Sequence, residues 1–473
     1  MIGRNILGLI VITIFIFFRY NNVLAKTVEV YPGENSRFIR EDAITKFSQI
    51  EWTEIMPGDI IILHGSRTEP YREVFVIMAQ GKIQNNIIIK SAKGENPTIE
   101  APVFFVNAAH VIFDGITIKN SPKSGINIKD GSHDITVSNC IVYDNDLGIC
   151  IEASGGMNNR LINNEIYGNK LHGIGVDVAN CMPGKETIIA RNKVYSNGYH
   201  GIEINGCYYI IEENEVYNNG LAREGTSGIH TYARDAEQVA GDYNIIRYNI
   251  SYSNNDKTSQ DGNGIQLDQW CDHNQVYYNL CYDNDGPGIT VFDSSDSIIY
   301  NNTLFNNMRD SGNTHAYKGE LVIASDFVHN VNHARNVKVV NNIIVANSVS
   351  SYAIYVDELS SGNPLFIGNN MFFNRKGGYF YRWGKISGKD VDAWNLLKSG
   401  FKDDMYADPL FVGDTPCKVF DFALRESSPS IGKAIFMEQS RDILGGRISK
   451  DKVPCLGALE YKGILHKENV KVP

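Results

Sequence analysis

Apolar residues recur through the middle of the chain in a short phrase, Gly-Ile-x-apolar: SGINIK at 124, LGICIE at 147, HGIGVD at 172, HGIEIN at 200, SGIHTY at 227, NGIQLD at 263 and PGITVF at 287. Its glycines, at 125, 148, 173, 201, 228, 264 and 288, lie 23, 25, 28, 27, 36 and 24 residues apart. A second phrase, Asn followed by apolar or aromatic residues, alternates with it: NNEIY, RNKVY, ENEVY, YNISY, YNLCY, NNTLF, NNIIV and NNMFF. Each unit therefore predicts two or three strands of about four to six residues joined by polar turns. Strands this short cannot bury a face alone, but stacked units pair each strand with its counterpart in the next turn. The expected fold is all-β, a parallel solenoid over residues 99–375. A propeller would need about 40 to 45 residues per repeat, and a leucine-rich repeat would show Leu at fixed offsets. The asparagines that open the second phrase (Asn164, Asn192, Asn214, Asn249, Asn279, Asn302, Asn342, Asn370) are expected to stack into a structural ladder at one corner.

The two phrases, the asparagines and the turn length resemble the right-handed parallel β-helix proteins that include pectate lyases, alginate lyases and uronan epimerases. Two flanking motifs extend the resemblance. MPGDIIILHG (Met56 to Gly65) with PYRE (Pro70 to Glu73) is similar to their opening turn, following an amphipathic segment, Phe38 to Ile55, that would cap the solenoid. ADPLFV (Ala407 to Val412), FALRESSPSIGKA (Phe422 to Ala434) and CLGALEY (Cys455 to Tyr461) are similar to their closing segment. The resemblance implies a right-handed helix with an N-terminal helical cap and first turns over 26–98 and an irregular C-terminal capping region over 376–473. Such motifs specify architecture, and one solenoid hosts several chemistries.

Because the isoleucines of the first phrase alternate inward, the second and fourth residues after each Gly face solvent. One outward column then reads Asn127, Cys150, Gly175, Glu203, His230, Gln266, Thr290, and the other Lys129, Glu152, Asp177, Asn205, Tyr232, Asp268, Phe292. Neighbours in a column lie about 4.8 Å apart. An ordinary exposed face mixes Thr, Ser, Lys and Glu without order. Here Asp177, Glu203, His230, Tyr232 and Asp268 fall within four turns and are the candidate catalytic residues, with Gln266, Arg234 and Trp270 as candidate substrate-binding residues. An indole beside a guanidinium would stack on a sugar and grip its hydroxyls or carboxylate. The wide interval from Gly228 to Gly264 predicts loops that wall this face. His172 and His200, each just before a Gly, read by parity as structural residues at the core or corner. Glu152 and Asp177, adjacent in one column, either bind a cation such as calcium or raise one another's pKa. No other metal set is expected, since no zinc spacing occurs, and no nucleotide motif is present.

Composition narrows the partners. Of 473 residues 43% are hydrophobic and 21% charged, as for a folded chain, and the net charge of −10 argues against nucleic acid. Arg4 before the apolar run Ile6–Phe18, with Val23, Leu24 and Ala25 after it, predicts a signal peptide over 1–25, a mature start near Lys26 and no membrane span after cleavage. Export makes the eight cysteines disulfide candidates, with Cys417–Cys455 and Cys181–Cys207 among 105 possible pairings.

Three functions fit: a secreted, monomeric enzyme, first of all a uronate lyase or epimerase working along the first sheet; an inverting glycoside hydrolase using Asp177 and Glu203; and a non-catalytic glycan-binding or surface protein. In the lyase, His230 or Tyr232 would handle protons and Arg234 would neutralise the carboxylate. Gln266 and the lack of a dense outward aspartate cluster depart from the calcium-dependent pectate lyases. A copper-delivery role would want Met, His or Cys clustering that the columns do not show.

Overall fold

The structure, a computed structural model, describes residues 25–33, 43–177, 182–257, 261–310, 317–326, 334–398 and 403–463. The predicted signal peptide lies almost wholly outside them, as do Cys181 and part of Phe38–Ile55. Among the described residues no helix is long and apolar enough to cross a membrane.

Each repeat forms three strands, and three long sheets run the length of the stack. The Gly-Ile phrases make one sheet and the Asn phrases a second. The third is built from the apolar stretches between them, such as Thr187–Ala190 and Tyr209–Glu212. Among the described residues these strands pair in parallel, except Tyr381–Trp383 with Ile386–Gly388 at one end. This is the right-handed parallel β-helix that the repeat predicted. Inward positions match like with like: Ile126, Ile149, Ile174, Ile202, Ile229, Ile265 and Ile289 stand in register in consecutive turns. All seven are fully buried, so each turn removes the same apolar group from water.

The ladder forms as expected. Asn214 Oδ1 accepts from the backbone N–H (2.9 Å) and Nδ2 (3.0 Å) of Asn192, while its own Nδ2 donates to Asn249 Oδ1 at 3.0 Å. A second ladder, which the sequence reading missed, runs parallel to it through Asn145, Asn169, Asn197, Asn219, Asn254, Asn284 and Asn307. The two flank the second sheet. Residues just before the rungs, such as Glu213 (φ 57°) and Asn218 (φ 53°), are left-handed, so the bends in the coil fall where the amides can satisfy the exposed backbone. The second ladder also explains the glycine of the first phrase. A Cβ on Gly201 would lie 2.7 Å from Gly228 O and 2.8 Å from Asn219 Nδ2.

Ahead of residue 99 lie first turns of the stack: coils begin at Thr27–Val30, which pairs with Ile60–Leu63. In place of a helical cap, the described part of Phe38–Ile55 holds two short 3-10 turns, Phe47–Gln49 and Trp52–Glu54. Phe47 stacks on Phe75 at 3.9 Å and closes the first apolar layer. At the far end, helix Val391–Leu397 buries Trp394 against Phe372 and Trp383. The described chain beyond Tyr406 packs along the flank, where Asn301 and Asn341 donate to the carbonyls of Cys455 and Ile435. Cys417 and Cys455 are both free, because they contact different parts of that flank, beside Tyr282 and Asn301 respectively. Cys207 is disulfide-bonded; its expected partner, Cys181, lies outside the described residues.

Candidate functional site

The Gly-Ile sheet has the predicted register, with Cys150, Gly175, Glu203, His230, Gln266 and Thr290 in one column. At its centre His230 is clamped between two carboxylates. Its Nδ1 lies 3.3 Å from Glu203 Oε2, on the preceding turn, and its Nε2 lies 3.2 Å from Asp268 Oδ2, on the following one. Glu203 Oε2 also meets His200 Nε2 at 3.0 Å. With its amide oriented to suit both neighbours, Asn205 donates to Glu203 Oε1 (3.2 Å) and to the Tyr232 carbonyl (3.1 Å). Tyr232 lies two residues further on, just past the end of the Ser227–Thr231 strand, its ring 6.2 Å from that of His230.

The bonding assigns the protons. The Ser227 backbone N–H donates to His200 Nδ1 (3.0 Å), so that nitrogen carries no proton. His200 is therefore the neutral Nε2–H tautomer, giving its hydrogen to Glu203. Burial holds His200 below its ordinary pKa despite the Glu203 charge, and burial likewise pushes His172 down to about 4. His230 behaves oppositely. Burial alone would lower it, but the hydrogen bonds to Asp268 and Glu203, and their charges, raise it to about 10. Burial works against ionisation of Glu203 too, yet His200 and His230 hold its carboxyl well below the usual range. At neutral pH the centre thus holds one imidazolium between carboxylates, with two neutral imidazoles stacked beside it. The His200 ring lies 4.2 Å from His230 and 5.3 Å from His172, nearly parallel to both.

His172 and His200 therefore belong to the site, contrary to the parity reading. They sit at the corner, but their rings lean back over the sheet face, where Gly175 leaves space: a Cβ there would be 3.6 Å from the His172 ring. The histidine clustering that the columns did not show is thus supplied from the corner. Asp261, on the wall before the Asn263–Leu267 strand, was also missed. Burial, with the nearby Asp268 charge, raises its carboxyl to about 7, and Asn263 Nδ2 donates to it at 3.0 Å.

Other expected residues fall elsewhere. Gln266 is adjacent to His230, but its amide oxygen already accepts from Ser227 Oγ and Asn263 Nδ2, both at 2.7 Å. Asp177 is exposed at the rim. Arg234 points to solvent and pairs with Asp235 at 2.9 Å. Trp270 is 8% exposed, packed with Ala233, Ala240 and Cys271, so it offers no open stacking surface. Its left-handed backbone (φ 61°) turns the chain at this point and breaks the register that would have carried the indole outward. Among the described residues, two groups of three have metal-ligand proximity, His172/His200/Glu203 and His110/His133/Asp134, and neither includes the Glu152–Asp177 pair.

Fold and face together define a right-handed parallel β-helix protein with an acid–histidine centre on its Gly-Ile sheet. Residues 178–328 match the family described as right handed beta helix region, and residues 58–241 match that described as periplasmic copper-binding protein (NosD). No curated protein matches the chain by sequence. Among solved structures it is similar to a mannuronic acid specific polysaccharide family 6 lyase from human gut microbiota, with 11% identity, TM-score 0.54, and coverage of 81% of this chain and 92% of that one. It is also similar to the A-module of the Azotobacter vinelandii mannuronan C-5 epimerase AlgE6, with 14% identity, TM-score 0.52, and coverage of 74% and 91%. The A-module of the AlgE4 epimerase from the same organism gives 13% identity and TM-score 0.50, with the same coverage. At these identities the likeness is one of fold.

Proposed function

We propose that the protein is an exported enzyme acting on a uronate-containing polysaccharide laid along the Gly-Ile sheet, as a lyase or epimerase. The observation that carries this reading is the His230 ring held between Glu203 (3.3 Å) and Asp268 (3.2 Å) on an outward sheet face, a geometry that favours the imidazolium. Removing the proton α to a uronate carboxylate builds negative charge, and a preorganised cation in a partly dry site stabilises it. His230 supplies that cation, Glu203 and Asp268 hold its ring, and His200 holds Glu203. Tyr232, just past the end of the Ser227–Thr231 strand, is assigned the exchange of the sugar proton in this reading. Asp261, protonated in part at neutral pH, is suited to protonate a leaving oxygen. Arg234, paired and solvent-facing, is not needed in this scheme.

The hydrolase reading has less support, because an inverting pair needs one protonated carboxyl, Glu203 is held ionised, and Asp177 lies exposed at the rim. Copper handling, as the NosD description would suggest, would enlist His172, His200 and Glu203. The Ser227 N–H on His200 Nδ1 keeps the Nε2 of that ring protonated and opposes it. A calcium requirement through Glu152 and Asp177 would appear as turnover lost on chelation and restored by Ca²⁺. Glu152 already accepts from Asn127 Nδ2 at 2.6 Å, so the expected result is turnover insensitive to chelation.

The test is a panel of alginates, pectates and neutral glycans, read by unsaturated-uronate absorbance, by reducing ends, and by solvent deuterium entering the polymer. Elimination gives the first signal with the second, and epimerisation gives the third alone. Reducing ends without unsaturation would overturn the reading in favour of hydrolysis, and no signal on any uronate would leave a binding protein.

A further inference from the structure

On the third sheet, away from the Gly-Ile face, the start of two consecutive strands, Ala109–Asp114 and His133–Ser138, brings together two imidazoles and a carboxylate. The register pairs Ala109 with His133 and Val111 with Ile135, so Asp134 stands over His110. Both are left-handed (φ 52° and 55°), which turns their side chains out of the strand's regular alternation, and His and Asp tolerate that conformation better than most residues. Asp134 bridges the two rings, with Oδ2 2.6 Å from His133 Nδ1 and Oδ1 3.8 Å from His110 Nδ1. One ligand atom from each of the three residues lies within 4.8 Å of the others. Asn158, one turn further on, donates its amide to Asp134 Oδ1 and fixes the carboxylate from behind.

We propose that His110, His133 and Asp134 form a binding site for a divalent first-row transition ion, independent of the polysaccharide site. Two imidazoles and one carboxylate are the donor set that such ions take, whereas calcium and magnesium require six or more oxygens. An ion bound at about 2.0 to 2.1 Å sets tetrahedral ligands about 3.3 Å apart, which side-chain rotation reaches from the present spacing. On binding, neutral His133 carries its proton on Nε2 and gives its Nδ1 lone pair to the metal, so its hydrogen bond to Asp134 is replaced by two metal bonds. The His133 side chain is 41% exposed and that of His110 18%, so the ion enters from solvent and water completes its coordination. Asn158 is the outer partner that metal-bound carboxylates characteristically keep. The other histidine group is committed differently, since both nitrogens of His200 are already hydrogen-bonded.

Equilibrium dialysis of the purified full-length protein against Zn²⁺ and Ni²⁺, with electron paramagnetic resonance of the Cu²⁺ form, tests this. One tight ion per chain is expected, with the signature of two imidazole nitrogens. His110→Ala and His133→Ala should each weaken binding by more than the roughly 10 to 100-fold that outer-shell changes cost, and Asn158→Ala should fall within that range. Circular dichroism of each variant confirms the fold, and His110→Gln and Asp134→Asn provide milder replacements should the alanine forms not fold. Stoichiometry and affinity unchanged in the folded His110 and His133 variants, or binding abolished instead by His200→Gln, would overturn the assignment.

Discussion

Glu320 ends the second asparagine ladder, and its replacement tests the ladder's electrostatics. Glu320 Oε2 accepts from the Asn307 backbone N–H (3.1 Å) and Nδ2 (2.7 Å), as an asparagine rung would. Its other oxygen has no hydrogen-bond partner and the residue is fully buried. Burial therefore raises the carboxyl from 4.5 to about 8, with the Asn307 hydrogen bonds opposing the shift only in part. An acid raised in the folded state contributes its full stability below the unfolded pKa and loses it as pH rises through the folded one. Each pH unit between 4.5 and 7 costs about 1.4 kcal/mol. The penalty is thus about 3 kcal/mol at pH 7 and of order 5 kcal/mol above pH 8. Glu320→Gln keeps an oxygen for both Asn307 donors and cannot ionise. Urea midpoints of the two proteins should differ little at pH 5 and separate as pH rises to 9, with the variant the more stable. Parallel curves across that range would refute the reasoning.

Three further outcomes are expected. Asn214→Ala removes the acceptor of the Asn192 backbone N–H and Nδ2 and the side-chain donor to the Ile189 carbonyl, while Asn249 Oδ1 keeps the backbone N–H of residue 214; at about 1 to 3 kcal/mol for each unmet buried group, the urea midpoint should fall by several kcal/mol equivalent, and a loss under about 1 kcal/mol would deny the ladder its role. His230→Ala should cut turnover at least about a hundredfold and also destabilise, because Glu203 and Asp268 lose the cation between them; full activity on the true substrate would end its catalytic assignment. The pKa of His230, about 10 against 6.5 for a free imidazole, gives stabilisation that is complete below pH 6.5 and lost as pH rises through 10, so nitrogen chemical shifts at pH 8 should be those of an imidazolium, and a neutral ring there would contradict the clamp.

Much of this was legible in sequence for a definite reason. A solenoid repeats one local geometry, so alternation within GIxIx fixed which residues face out, and the intervals between glycines placed Glu203 beside His230. The misses lie where that geometry stops. His172 and His200 occupy a corner, where side-chain direction follows the bend and the empty space at Gly175 rather than strand parity. Trp270 and Arg234 follow the strand end, beyond which the register no longer applies. The second ladder did leave a signal, a second Asn five residues after the first in NNEIYGN, RNKVYSN and ENEVYNN. Its meaning depends on a contact between turns that one unit cannot reveal.

Successive rungs of the first ladder are 28, 22, 35, 30, 23, 40 and 28 residues apart, yet the side-chain bonds joining them stay at 2.9 to 3.0 Å. Coil length is therefore uncoupled from pitch. Extra residues enter as loops between rungs, and the coil joining Asn214 to Asn249 carries its surplus on either side of the Ser227–Thr231 strand that bears His230. A scaffold of this kind behaves as a ruled frame, whose rulings keep their spacing whatever is hung between them. The surroundings of the Gly-Ile face can be reshaped by insertion alone, leaving the placement of Glu203, His230 and Asp268 untouched, and on the proposed polysaccharide reading, swapping the 218–226 and 233–242 loops is the direct route to altered substrate range.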